Sequence, residues 1–258
     1  MERCAWVESF EELPDKFDRI FFGDEGCDLF LYDSEFQERI NHFLLSGTPI
    51  GLIAPFLTPE SEQPFRNLLG NLRLPIEVVV NDIGAYKIAR ESLHKPILGR
   101  LLSRQASDPE IIRFCKPQPD RIVYYDRTPA RLRYSPPHTT LMERFRDSPL
   151  FSDEAAEVFL GDYPEMQVMC DMLPHGIPDS LPPKYSIMLH LEEVLVSMLP
   201  CQHNCRDCPQ KEVKIGETRS RNPIYRKRNT CYYKFSEING SLELDAFPPS
   251  ITRTLIKA

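Results

Sequence analysis

Residues 76–100 read IEVVVNDIGAYKIARESLHKPILGR, and this stretch decides the fold class. Ile76–Val80 is the densest β-branched run of the chain. Branched side chains pack well on a pleated surface, so a strand is expected there. Asn81 and Asp82 follow, with short polar side chains that can satisfy the free N–H groups opening a helix, and a helix is expected from Ile83 to about Leu93. Pro96-Ile97-Leu98 then gives a second short strand ending at Gly99-Arg100. Two neighbouring strands joined by one helix run parallel, with a right-handed crossover.

The same unit repeats upstream. Arg19–Phe22, in FDRIFFGDEGC, reads as a buried strand that turns at Gly23 and delivers Asp24, Glu25 and Cys27 to its C-terminal end. Asp33 or Ser34 caps a helix running to about Ser46, with Phe36, Ile40, Phe43 and Leu44 on one face. Ile50–Ala54 is strand-like, and Thr58-Pro59-Glu60 opens a helix whose face is Phe65, Leu68, Leu69 and Leu72. Downstream the alternation is less clean. A helix is expected from Asp108-Pro109-Glu110 to about Phe114, a strand over Arg121–Tyr125, an Arg- and Pro-rich loop or insertion over Asp126–Pro137, and helices over Thr139–Arg146 and Asp153–Leu160. Strands follow at Glu165–Cys170 and, longer and more apolar, at Tyr185–Met198; Ser241–Phe247 alternates like an edge strand, and the last residues resemble a tail.

The expected class is therefore α/β: an irregular or incomplete TIM-like barrel over 1–200, with a cysteine-rich segment and short β extension over 201–258 packed on it. Alternation alone does not separate an open sheet from a closed barrel. In a barrel, the loops after the strands share one rim, and here they carry Gly23–Cys27, Asn81-Asp82, Gly99-Arg100, Cys170-Asp171 and Cys201 onward.

Cys201, Cys205, Cys208 and Cys231 form C-x3-C-x2-C-x22-C, half of the chain's 8 cysteines. Thiols seldom cluster among residues such as His203, Asn204, Arg206 and Asp207 unless they act as ligands. Four thiolates suit either tetrahedral zinc or a cluster of four irons and four sulfurs. Zinc ribbons more often show two close pairs, so the compact triplet with one distant partner leans toward iron and sulfur.

Composition narrows the classes. With 41% hydrophobic and 27% charged residues, the 258-residue chain is an ordinary globular sequence, while 24 prolines against 11 glycines imply stiff loops. The N-terminus has no signal-peptide run, and no apolar stretch is long enough to span a bilayer, so a cytoplasmic location is expected, where the cysteines would not be a disulfide framework. A net charge of −7 argues against a bulk electrostatic grip on nucleic acid. Lys211–Lys234 is the local exception, basic and carrying Tyr225, Tyr232 and Tyr233, so it could hold RNA or simply offset the charge of a thiolate centre. No Ser-His-Asp order, HExxH, Walker loop or GxGxxG occurs.

VVVNDIGAYKIARES followed by PILGRLLSRQASDP resembles the asparagine-aspartate and LGR segment of peptidase family U32, the collagenase-like peptidases, and in particular its shorter members of the UbiU/UbiV type. DMLPHG, the run YSIMLHLEEVLVSMLPC and the entry IFFGDEGC extend the likeness, so that about 200 of the 258 residues can be laid along the family's barrel. Ile83 stands where an aromatic is usual, and the cysteine spacing is tighter than in the quinone-pathway members. The resemblance implies a TIM-like barrel holding a 4Fe-4S cluster. The activity it implies is assistance to an oxygen-independent hydroxylation, as in ubiquinone biosynthesis, or a related redox modification of a small aromatic or RNA substrate, with a paralogous sister subunit as partner. Cys201, Cys205, Cys208 and Cys231 are the expected cluster ligands, with Cys27 as the alternate fourth.

Other readings stay open from the residues themselves: a U32-type peptidase, or a zinc-stabilised RNA-binding or scaffold module. Asp82 is either a helix cap or a substrate acceptor at the barrel mouth; Arg100 is either a clamp for an anionic substrate or a surface ion pair. His175, in a Pro-His-Gly turn, is the third candidate for substrate contact. His190 with Glu192 could be a rim acid–base pair, although a core histidine fits better; Cys4, Cys115 and Cys170 read as core or incidental thiols.

Overall fold

The structure, a computed structural model, describes residues 1–8, 10, 13, 16–103, 123–125, 132–134, 165–171, 185–198, 201, 203, 205, 208–217, 222–234 and 250–257. Eight parallel strands close into a barrel: β1 (Glu2–Val7), β2 (Arg19–Gly23), β3 (Ile50–Ile53), β4 (Glu77–Val80), β5 (Lys95–Leu98), β8 (Met166–Asp171), β9 (Tyr185–His190) and β14 (Ile251–Lys257). They follow one another around the barrel in chain order, and β14 pairs with β1 to shut it. This is the irregular TIM-like α/β barrel expected from the sequence, closed where alternation alone left an open sheet possible, and with few helices among the described residues.

Local chemistry explains the elements between strands. Helix α1 (Ser34–Leu45) starts where the Asp33 carboxylate accepts the Glu35 N–H at 2.9 Å, and it buries Phe36, Ile40 and Leu44. Helix α2 (Pro59–Gly70) opens with a reciprocal box: Thr58 Oγ1 accepts from Ser61 N, and Ser61 Oγ accepts from Thr58 N. Pro64 cannot donate to the Glu60 carbonyl, and the Tyr32 hydroxyl approaches that carbonyl at 3.5 Å. Helix α3 (Ile83–Glu91) is capped by Asp82, whose Oδ1 accepts from Ala85 N at 2.8 Å. A short turn, α4 (Arg100–Ser103), follows β5.

Outward-facing strand residues and the helices form the larger core, including Phe22, Leu52, Val78 and Val80 with Phe65 and Leu69. The barrel's inside is layered. Cys4, Phe21, Ile53, Val79, Ile97, Met169, Met188 and Leu255 form an apolar middle. Below it, Glu77 binds Arg253 at 2.5 Å and Arg19 at 3.4 Å, and Glu2 binds Arg19 at 2.8 Å. The bottom is thus closed by paired charges, and the open chemistry is left to the upper rim.

Several sequence expectations are corrected. The C-terminal residues are not a tail: Ile251–Lys257, grouped above with the cysteine-rich segment, lies inside the barrel between β1 and β9. The run Tyr185–Met198 is not one strand. His190 Nδ1 accepts from Glu193 N at 3.3 Å, the chain turns at Leu191-Glu192, and β10 (Glu193–Met198) leaves the barrel. It joins a second sheet, ordered β10, β13 (Thr230–Lys234), β12 (Pro223–Lys227) and β11 (Val213–Glu217). The expected fifth strand, β6 (Val123–Tyr125), is not in the barrel. It pairs antiparallel with β7 (Leu132–Tyr134), a strand within what reads as a loop. The helices expected at 110–114, 139–146 and 153–160 and the strand at 241–247 lie outside the described residues, as do His175 and Cys115.

Candidate metal centre

The upper rim is built on a buried ion group. Arg100, 3% exposed, sends Nη2 to Glu25 Oε2 at 2.5 Å and Nη1 to Asp171 Oδ1 at 2.9 Å and to the Glu193 carbonyl at 3.1 Å. Burial opposes the guanidinium charge, but Asp171 and Glu25 outweigh it and raise its pKa further. Asn81 joins the group through Glu25 Oε1 at 3.4 Å, and only glycine fits at position 99, because a Cβ there would stand 2.2 Å from Asn81 Oδ1. Arg100 is thus neither a surface ion pair nor a free clamp; its donors are engaged by the protein. Asp82 is a helix cap whose second oxygen accepts from Leu57 N at 3.0 Å.

A second charge group covers the first. Lys257 on β14 reaches Glu8 at 2.8 Å and Glu193 at 3.4 Å while lying 4.6 Å from the centroid of Trp6. Lys227 also binds Glu8 at 2.8 Å. Burial works against the Glu8 charge, yet Lys257 and Lys227 hold its pKa down at about 2. His190 is fully buried, edge-on to Trp6 at 5.7 Å; burial, with Arg100 and Lys257 nearby, pushes its pKa well below the usual value, so it is a neutral core histidine. Glu192 instead accepts from Lys257 N at 2.8 Å, so the two do not form an acid–base pair.

Three segments meet over this rim: the loop after β2, the cysteine loop and the tip of the β12–β13 hairpin. His203 Nε2 lies 3.0 Å from Asp28 Oδ2. The ligand atoms of Asp28, Cys201 and His203 all lie within 4.8 Å of one another, the only such group of His, Cys, Asp and Glu among the described residues. Asp28 is completely buried, and its Oδ1 has no hydrogen-bond partner. A buried carboxylate oxygen left unmatched beside a thiol and an imidazole fits a cation better than it fits an empty core.

The hairpin tip supplies positive charge. Arg228 forms an ion pair with Asp24, donates its N–H to the Pro209 carbonyl at 2.6 Å, and has a left-handed backbone, φ 52°. Asn229 Nδ2 donates to the Gly26 carbonyl at 3.0 Å. A Cβ at Gly26 would meet Thr230 Oγ1 at 2.5 Å, so a larger residue there would force the Thr230 side chain to shift. Burial pushes the Cys27 thiol up to about 11, with Asp24 and Cys201 adding to the rise and Arg228 opposing it. Cys208 is raised by burial and by Cys205 and Asp24, with Arg226 and Arg228 opposing. The sulfurs of Cys27 and Cys208 therefore share Asp24 and Arg228 as electrostatic neighbours.

The predicted thiols are only partly brought together. Cys201, Cys205 and Cys208 lie in the loop as expected, but Cys231 sits on β13 across from Ser197 and Arg226. Cys170 is a buried strand thiol. A single tetrahedral ion would hold sulfurs about 3.8 Å apart. No four-thiol group of that kind is assembled among the described residues. A cubane spreads its thiolates over four irons and needs a wider frame. Sequence reasoning overlooked Asp28, His203 and Arg228 as actors. Asp28 and His203 adjoin recognised cysteines, and that adjacency was the available signal.

Among the described residues of the basic stretch, four cations are held in ion pairs. Lys214 pairs with Glu217, Lys227 with Glu8, Arg228 with Asp24 and Lys234 with Glu212. Tyr232 and Tyr233 are buried. Among the described residues, no helix is long and apolar enough to cross a membrane. Fold and site together define a closed parallel α/β barrel with a cysteine-bearing rim capable of holding a metal. No family model, curated protein or solved structure matches the chain.

Proposed function

We propose that the chain is an iron–sulfur barrel protein of the U32 type, assisting an oxygen-independent hydroxylation or related redox modification of a small aromatic or RNA substrate. The observation that carries the reading is the junction on the strand-end rim, where Cys27 and Cys208 share the Asp24–Arg228 pair and Cys201 lies beside Asp28 and His203. Rims of this kind are where barrel proteins place their chemistry. Cys201, Cys205 and Cys208 would hold the centre, with Cys27 favoured over Cys231 as the fourth thiolate because Cys27 adjoins Asp28, which His203 of the cysteine loop approaches at 3.0 Å. When bound, such a cluster supplies one-electron transfer. The chain's own residues hold the loop to the rim, keep water from the buried Glu25–Arg100–Asp171 group beneath, and supply cations beside the thiolates.

A second reading has its own support. The compact Asp28–Cys201–His203 group, with an orphaned carboxylate oxygen, is the donor set of one borderline ion such as zinc. Anaerobic purification followed by metal analysis and an absorption spectrum separates the two. Brown protein with about four irons per chain supports the cluster. Colourless protein with about one zinc supports the single ion and removes the redox reading.

A further inference from the structure

We infer that Arg228 is the positioning residue of the metal centre, its Nε–H directed to donate to an anionic sulfur there once the metal is bound. The inference rests on the metal-centre reading above and deepens it.

Four observations converge. First, Arg228 stands at the tip of a two-residue hairpin, between Lys227 and Thr230, with φ 52°. Hairpins normally put glycine, asparagine or aspartate in that conformation, because a Cβ there is strained. Arginine gains nothing locally from it, and strain of this kind gathers at functional sites. His203, in the cysteine loop it faces, is likewise left-handed, with φ 56°.

Second, the residue ties all three segments together. Its backbone N–H holds the cysteine loop at Pro209, its guanidinium holds Asp24 after β2, and Arg226 Nε donates back to its carbonyl at 2.8 Å. Third, Arg228 Nε is buried and has no hydrogen-bond partner, although the Nη1 end of the same group is engaged. A buried donor costs stability unless an acceptor arrives. Fourth, Cys27 and Cys208 both lie within the electrostatic reach of this guanidinium. The unmatched donor and the nearby sulfurs are complementary: a thiol is a poor acceptor, whereas a metal-bound thiolate or cluster sulfide is a good one.

Cobalt(II) titration of the full chain under anaerobic conditions tests this, read through the thiolate-to-cobalt absorption band, with circular dichroism checking the fold. R228M is expected to weaken cobalt binding at least tenfold and to shift the band. R228K keeps a charge but loses the fork, and is expected to fall between wild type and R228M. D24N breaks the ion pair while leaving the guanidinium, and is expected to lose less than R228M. Equal affinity and an unshifted band in wild type and folded R228M would overturn the inference and leave the metal reading standing. D24N losing as much as R228M would reduce Arg228 to a structural strut, overturning it equally. Should R228M not fold, wild-type affinity and band in R228K would overturn it. A wild-type chain that binds neither cobalt nor iron would overturn the metal reading and this inference with it.

Discussion

Asp28 and His203, 175 residues apart in the chain, meet at 3.0 Å on the barrel rim. The contact joins the loop that leaves an early barrel strand to the loop that carries the cysteine triplet, and it places Cys201 beside both. A carboxylate that touches an imidazole with one oxygen and leaves the other buried and unmatched is poised for a cation. Asp28→Asn keeps the shape and removes the charge. Divalent-metal affinity is expected to fall about 10- to 100-fold, measured by competition with a chromogenic chelator, with little change in the circular dichroism spectrum.

The Arg100 group predicts a stability effect. Arg100→Met leaves Glu25 and Asp171 buried without their cation, and removing one partner of a buried pair typically costs about 3–5 kcal/mol. Urea unfolding should show a lower midpoint at unchanged slope. The paired change Glu25→Leu with Arg100→Leu should recover part of the loss, because no charge is stranded between those two positions.

Acid should loosen the upper rim through Glu8. Its folded pKa is lowered from 4.5 to about 2, so its stabilising contribution is complete above about pH 4.5 and is lost as the pH falls toward 2. The shift corresponds to on the order of 3 kcal/mol. In Glu8→Gln, stability measured between pH 6 and pH 3 should decline less steeply than in wild type.

Thiol reactivity should sort the cysteines. Burial raises Cys27 to about 11, leaving ~0.1% thiolate at pH 8, whereas Cys205 is exposed. Iodoacetamide under reducing, metal-free conditions should modify Cys205 well before Cys27, as read by peptide mass mapping. Metal loading should protect both.

Much of the barrel was legible in the sequence because its early units alternate cleanly. Ile50–Ile53, Glu77–Val80 and Lys95–Leu98 are short apolar runs, each fenced by proline, glycine or a capping residue. The two strands that close the barrel were not legible. Both β1 and β14 send charged residues inward: Glu2 and Arg253 enter the lower ion group, and Lys257 reaches the upper one. Ion pairing inside a barrel makes such strands look like surface segments or tails. The length of β9 was overread for the opposite reason, since Glu193–Met198 is as apolar as a barrel strand but belongs to another sheet.

The site shows the same division. The cysteine triplet announced itself by spacing, but its partners come from segments that only folding brings together. Gly26 receives the hairpin tip through Asn229, 203 residues away, and nothing local marks either residue as part of a junction. Cys231 has ligand spacing yet sits in a strand ladder, where its place is set by pairing with Ser197 and Arg226.

The central claim is that the rim thiols, with Cys27 among them, form one metal centre. Metal content per chain should be measured side by side in anaerobically purified wild type, Cys27→Ala and Cys231→Ala. The account predicts a loaded wild type, loss of the metal in Cys27→Ala and its retention in Cys231→Ala. Retention in Cys27→Ala with loss in Cys231→Ala, or a wild type with no metal, would contradict it.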